Sequence, residues 1–346
     1  MAGGVQQVVV VLTVVALMAT VAEGFISKKT WSAIRRADRD GPFVGLVVPN
    51  AYEMDPVLNS PDFKTSNNTP ILDVQGQNVV MVMTGLSMLN AGLSTQLLLS
   101  LFRVKGIVHW GIAGNANEDL QIGDVTIPES WAHLSLWNWQ RHGDGPENEL
   151  PLEGAGDYTR EYGFLNFSDY TVGQDNPELS ANTLNSVWYQ PEEIFPISGT
   201  PEERQHAFWR YYRLAGKLEG LELPACVNAT TCLPRAPRVT RVPRGCSANI
   251  YTDNASYRQF IRTHFGCTPV EMESAAVALV AHQHGVPFIT IRSLSDLAGG
   301  GSSLSNEAAT FLDIAAKNAV DVMLKFVPLL GRGGEQEQAD GLAEDM

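Results

Sequence analysis

The chain has 346 residues, 44% of them hydrophobic, which suffices for one large core or two modest ones. A formal charge of −14, from 38 acidic against 24 basic residues, argues against a nucleic-acid or other polyanion binder, because phosphate contacts need a basic surface. The four cysteines, Cys226, Cys232, Cys246 and Cys267, lack the paired CxxC spacing of a zinc site, so no metal is expected.

At the N-terminus, Val8 to Ala22 is a run of apolar and small residues interrupted only by threonine. It is shorter than the ~20 residues of a membrane span and matches the core of a signal peptide, about 7–15 residues. Ala22-Glu23-Gly24 offers a small-x-small cleavage site, although no Lys or Arg precedes the run. The reading is a cleaved signal peptide over 1–24 and a secretory route, ending outside the cell or in a vacuole, with no membrane attachment after cleavage. Sequons at Asn67, Asn166, Asn228 and Asn254 fit that route as glycosylation acceptors. An even number of cysteines in an oxidising compartment suggests two disulfides, with three pairings open.

Strands and helices alternate from Trp31 onward. Pro42 to Val48 (PFVGLVV) is apolar on both faces, as in a buried parallel strand, and Asn78 to Met83 repeats that character. TGLSMLNAGLSTQLLLSLF then reads as an apolar-faced helix ending near Arg103, followed by strands over Gly106 to Trp110 and Asp124 to Ile127. The pattern breaks between about Trp139 and Arg244, where Pro, Gly, Asn and aromatics dominate. One helix start is visible there: Thr200 caps it, Pro201 occupies its first turn, and Glu202 and Glu203 complement the dipole, with Gly216 and Gly220 marking its end. This region, 139–245, reads as a long insertion. The α/β pattern resumes from Tyr257 and closes with a helix over about Asn306 to Phe326. The expectation is an α/β fold with a mostly parallel, mixed central sheet, as one domain over 40–330, and a disordered acidic tail over 331–346.

Open α/β sheets bind ligands beyond the carboxyl ends of their strands. Glu53 follows the first strand, Asp296 closes the strand FITIRSLS, and Glu273 opens the helix that leads into it. Local capping offers another account. Asn50 to Glu53 and Thr268 to Glu271 both fit capping boxes, and Asp296 fits a turn. Capping explains Glu271 but leaves Glu273, two residues further along and beside Ser274, Ala275 and Ala276, unexplained.

VEMESAAVA followed by a strand and RSLSD resembles the signature of the purine nucleoside phosphorylase and methylthioadenosine/S-adenosylhomocysteine nucleosidase superfamily. WGIAGNANEDLQIGDVTIP is similar to its glycine-rich sheet-end motif, and GIAGNAN, LQIGDVTIP and WNWQ resemble the plant bark and vegetative storage proteins of that superfamily. The likeness covers about Pro42 to Ile127 and Cys246 to Phe326. It implies a three-layer α/β/α nucleoside phosphorylase-like fold with no cofactor, and a homo-oligomer whose pocket is completed by a neighbouring subunit. The cluster Trp131, Trp137 and Trp139 is one candidate for that contact; packing of the insertion against the core is the other.

The resemblance also implies roles. Asp296 would protonate purine N7 as the base leaves. Glu53 would orient and deprotonate the attacking water, with Arg292 nearby. Glu273 would bind the ribose hydroxyls, with Met272 against the sugar. Ala113, Gly114 and Ser295 fall within the motifs, and Tyr251 and Thr252 fall where the family contacts the base. Cleaving an N-ribosidic bond passes through an oxocarbenium-like sugar, which calls for such acids.

The chain departs from the family at two positions and in the first loop, where Pro49-Asn50-Ala51-Tyr52 holds no arginine. His109 stands where phosphorylases carry a phosphate-binding arginine, and Ile112 where they carry a hydroxyl residue. A phosphate dianion without cations is costly to hold, which favours hydrolysis over phosphorolysis. Ile112 also cannot hold a catalytic water as the serine of bacterial nucleosidases does. His109 reads as a satisfied strand histidine. The expected function is a purine nucleoside N-ribohydrolase acting on adenosine-like nucleosides such as methylthioadenosine. The alternatives are a nitrogen-storage protein with weak or vestigial activity and, more distantly, a nucleoside phosphorylase.

Overall fold

The computed structural model describes residues 27–65, 72–74, 76–134, 207–300 and 307–330. The segments read above as a signal peptide and an acidic tail, together with Asn67, Asn166, Trp137, Trp139 and the helix start at Thr200, lie outside the described residues.

A helix α1 (Lys28–Ala37) leads into β1 (Phe43–Val48), whose six residues are all buried. After α2 (Ala51–Leu58) come the short strands β2 (Phe63–Thr65) and β3 (Leu72–Val74), then β4 (Gln77–Met83) and α3 (Met88–Leu101). The long strands β5 (Val104–Asn115) and β6 (Val125–His133) follow. Further on lie α4 (Ala207–Ala215), β7 (Val239–Ser247), α5 (Ala255–Phe265), the two-residue β8 (Val270–Glu271), α6 (Ser274–Gln283), β9 (Phe288–Leu297) and α7 (Glu307–Phe326).

One mixed sheet of nine strands runs in the order β2-β3-β4-β1-β5-β8-β7-β6-β9. β9 also pairs in parallel with β5, so the last five strands of that order close on themselves. Alternation along the strands separates two cores. Val44, Leu46, Val48, Val108, Trp110, Ile289 and Ile291 pack toward α4 and α7. Val47, Ile107 and Phe288 pack toward α3 and α6 on the other face. The small residues Ala275, Ala276 and Ala278 let α6 lie close against α3. The sheet is thus covered by helices on both faces, as expected.

The broken region divides differently from the sequence reading. Residues 135–206 lie outside the described part, whereas α4 contributes Tyr211, Leu214 and Ala215 to the core, and β7 pairs with both β6 and β8. The α/β pattern therefore resumes by Ala207, well before Tyr257. Alternating Arg and Pro in VTRVPRG hides a strand whose buried side chains are Val239, Val242, Cys246 and Ser247. The disulfides pair Cys226 with Cys232 and Cys246 with Cys267. Trp131 is fully buried, with its ring against Gly245 and its indole N–H donating to Thr290 Oγ1 at 2.5 Å. It packs in the core and is not available for a subunit contact. Among the described residues no helix is long and apolar enough to cross a membrane.

Candidate active site

The strand ends gather the acids. Asn50 caps α2 by accepting from the Glu53 N–H at 3.1 Å, and its own amide donates to Glu53 Oε2 at 2.6 Å. This cap turns Glu53 inward over β5, where the Ile112 N–H donates to Glu53 Oε1 at 2.6 Å. Gly111 is required by that approach, since a Cβ there would run into Glu53 Oε1 and Arg292 Nη1. Burial is the main reason that the Glu53 carboxyl is pushed up to about 7, against the lowering effects of Arg292 and the Ile112 N–H.

Glu273 stands at the N-terminus of α6 and does not cap it. Its Oε1 instead accepts from the Ser87 N–H at 2.8 Å. Burial and the neighbouring Glu271 push its proton affinity up, only partly offset by Arg292. Asp296 is aimed by a slip in the β5–β9 register, where Ala113 faces Leu294 but Gly114 faces Asp296. The Ser295 hydroxyl lies within reach of Ala113 O, at 3.2 Å, and of Asp296 Oδ2, at 2.8 Å. Gly114 is closely covered, with Ala298 and Asp296 Oδ1 at its vacant Cβ position.

These groups share one cavity of about 210 Å³. Glu53, Ala113, Gly114, Met272, Glu273, Ser295 and Asp296 line it, as do Tyr251 and Thr252 at its other side. Tyr251 is 68% exposed and presents an open ring at the mouth, while Thr252 Oγ1 is buried without a partner and so free to meet a ligand. Asn50, Val270 and Glu271, read from the sequence only as cap or strand residues, also line the wall, as do Leu86 and Ile250, since isolated apolar residues in loops carry no pattern that separates pocket from core. Among the described residues, no Lys, Arg or His lies on the cavity lining.

Two expectations change. Arg292 does not line the cavity. It lies behind Glu53, fully buried, with Nη1 3.7 Å from Glu53 Oε1 and Nη2 3.7 Å from Glu273 Oε2. Glu271 does cap α6, accepting from the Glu273 N–H at 3.0 Å and the Ser274 N–H at 2.9 Å, but it does so from β8 and not within a box closed by Thr268. Thr268 Oγ1 accepts from the Ala116 N–H instead, at 2.9 Å. Glu271 also pairs directly with Arg292 and accepts from the Ser247 hydroxyl. One guanidinium thus serves three buried carboxylates, and an incomplete balance of this kind leaves some of them with raised proton affinity.

Comparison with known proteins agrees with this architecture. The chain is 28% identical to bark storage protein A of Populus deltoides over 261 residues, covering 73% of this chain and 75% of that one. It is 29% identical to a 5′-methylthioadenosine/S-adenosylhomocysteine nucleosidase of Treponema pallidum over 266 residues, covering 75% and 81%. The solved structure of Helicobacter pylori futalosine hydrolase shares the fold at a TM-score of 0.51 and 18% identity, over 82% of this chain and 97% of that one. The model of the phosphorylase superfamily matches residues 43–328, and the chain belongs to that superfamily.

Proposed function

We propose that the chain is a purine nucleoside N-ribohydrolase, cleaving the N-glycosidic bond of adenosine-like nucleosides such as methylthioadenosine. The observation that carries this reading is the convergence of Glu53, Glu273 and Asp296 on one small cavity whose lining, among the described residues, holds no basic residue. Such a wall suits a cationic, oxocarbenium-like sugar and disfavours a phosphate dianion, so water is the better nucleophile. Glu53, with its carboxyl near 7, is suited to take a proton from that water around neutrality. Asp296, held on one oxygen by the Ser295 hydroxyl, delivers a proton to N7 of the departing purine. Glu273 accepts from the ribose hydroxyls, Met272 packs on the sugar, and Tyr251 and Thr252 meet the base. The likeness to methylthioadenosine/S-adenosylhomocysteine nucleosidases supports the same reaction class.

A second reading, storage with weak turnover, is favoured by one specific feature. Ile112 lines the cavity with an aliphatic side chain beside Glu53, so no hydroxyl from that position steadies the water. The likeness to bark storage proteins supports it, and two disulfides support passage through an oxidising compartment, with a vacuolar or extracellular destination.

The unit of function in this reading is a homo-oligomer. Leu89, Leu93 and Leu97 repeat every four residues along α3 and stand 69%, 63% and 54% exposed. α3 contains no charged residue, and its stripe continues through Leu86 to the cavity mouth at Ile250 and Tyr251. A second copy seated there would cover the stripe and close the pocket.

The test is release of free base from a nucleoside panel, with and without phosphate, by wild type and Asp296→Asn. Phosphate-independent release that is lost in a folded Asp296→Asn is expected. Release that requires phosphate would replace hydrolysis with phosphorolysis, and no release from any nucleoside would leave storage as the function.

A further inference from the structure

His109 is a buried titratable group that the proposed reaction does not use. It lies on β5 opposite Thr290 of β9, two residues from the Gly111–Arg292 pair, on the sheet face covered by α3 and α6. Both of its ring nitrogens have protein partners. Nδ1 is 2.9 Å from the Val47 carbonyl oxygen, and Nε2 is 2.5 Å from Arg292 Nη2. A carbonyl can only accept and a guanidinium can only donate. The ring is therefore the neutral Nδ1–H tautomer, donating to Val47 and accepting from Arg292. Burial, and then the charge of Arg292, hold its proton affinity well below the ordinary histidine value, consistent with a ring that stays neutral.

Resting on the reading of Glu53 as the base for water, we propose that His109 is a positioning residue. It aims the Arg292 guanidinium toward Glu53 and so favours the ionised, proton-accepting form of that carboxylate. The anchors of Arg292 fall on two sides. Toward α6 it meets the Ser274 hydroxyl, at 3.0 and 3.2 Å, and the Glu271 carboxylate. Toward β5 it meets His109 and, through Nη1 at 3.3 Å, the Ile112 carbonyl. Glu271 and Glu273 both attract the cation toward α6, and His109 is the side chain that holds it from the β5 side. A carboxylate at position 109 would neutralise the guanidinium, and a cation would repel it. A neutral acceptor holds Arg292 while leaving its charge for Glu53. The groups facing Glu53 are Arg292, the carboxylates of Glu271 and Glu273, the Asn50 amide and the Ile112 N–H. Of these, only Arg292 combines a full positive charge with a position that depends on His109.

Three variants separate the two ends of the ring. His109→Gln can place a carbonyl near the Nε2 position and keep the acceptor for Arg292. His109→Asn can keep the donor to Val47 but falls short of Arg292, and His109→Leu keeps neither. The readout is the titration midpoint of Glu53, followed by its carboxyl carbon-13 resonance in glutamate-labelled protein and assigned by the loss of that signal in Glu53→Gln. The Asn and Leu variants should move the midpoint upward by about one pH unit or more, the scale of a neighbouring charge. The Gln variant should stay near wild type. The acid limb of base release should move with the midpoint. Equal midpoints in the Gln and Asn variants, or an unmoved midpoint in folded His109→Leu, would overturn the proposal. If His109→Leu does not fold, the Gln and Asn comparison decides. Absence of base release by wild type at every pH would defeat the nucleosidase reading alone, because the carboxyl titration is read without turnover.

Discussion

Glu53→Gln removes a carboxyl that folding holds near 7, against 4.5 for an ordinary glutamate, chiefly through burial. The folded state therefore prefers the protonated form. The stability associated with this group is fully present below about pH 4.5 and is lost as pH rises through about 7. A gap of about 2.5 pH units corresponds to about 3 kcal/mol, at about 1.4 kcal/mol for each unit. Glutamine has no such titration, so from about pH 4 to about pH 8 its stability relative to wild type should improve by about that amount. The Asn50 amide, which donates to Glu53 Oε2, would meet a glutamine amide less well, but that cost is the same at every pH. The titration of Glu273 is present in both proteins and cancels to first order. Urea denaturation of both proteins across that pH range measures the difference. Base release by wild type should rise through about pH 7 as the base ionises, and it should be lost in the variant. A stability difference that does not vary with pH would refute the reasoning, since it would mean that Glu53 binds its proton equally well folded and unfolded.

Gly111→Ala should lower stability by about 1–3 kcal/mol and reduce base release at least tenfold, because the new methyl forces Glu53 away from Arg292. Paired denaturation and activity measurements check it, and a variant matching wild type in both would show that the site tolerates the gap. Leu93→Glu should dissociate the oligomer and raise the KM for nucleoside, as read by sedimentation velocity and kinetics; a monomeric wild type would refute the covered-stripe reading. Replacing Cys246 and Cys267 together with serine should cost about 3 kcal/mol, since the bridge closes a span of 21 residues just before Val270 and Glu271. Denaturation under non-reducing conditions measures this, and an unchanged midpoint would count against a stabilising role for the bridge.

Local chemistry fixed much of this molecule in advance. The doubly apolar runs of β1, β5 and β9 could be buried only between helix layers, and the short link from Asn50 to Glu53 made a cap whatever surrounded it. Superfamily motifs in the sequence then placed Glu53, Glu273 and Asp296 at strand ends, where the structure brings them to one cavity. Periodicity reports which face of an element is apolar, but not what covers that face. α3 buries Met88, Ala91 and Leu98 as its apolar face implies, while Leu89, Leu93 and Leu97 of the same helix are exposed. β7 was missed because its Arg and Pro residues obscure a strand bordered on both sides. The double role of Glu271, the burial of Arg292 and the tautomer of His109 depend on contacts between residues up to 183 positions apart. Only the closing of the sheet brings those groups within hydrogen-bonding distance. Their charges and proton positions follow from how few partners they share once water is excluded.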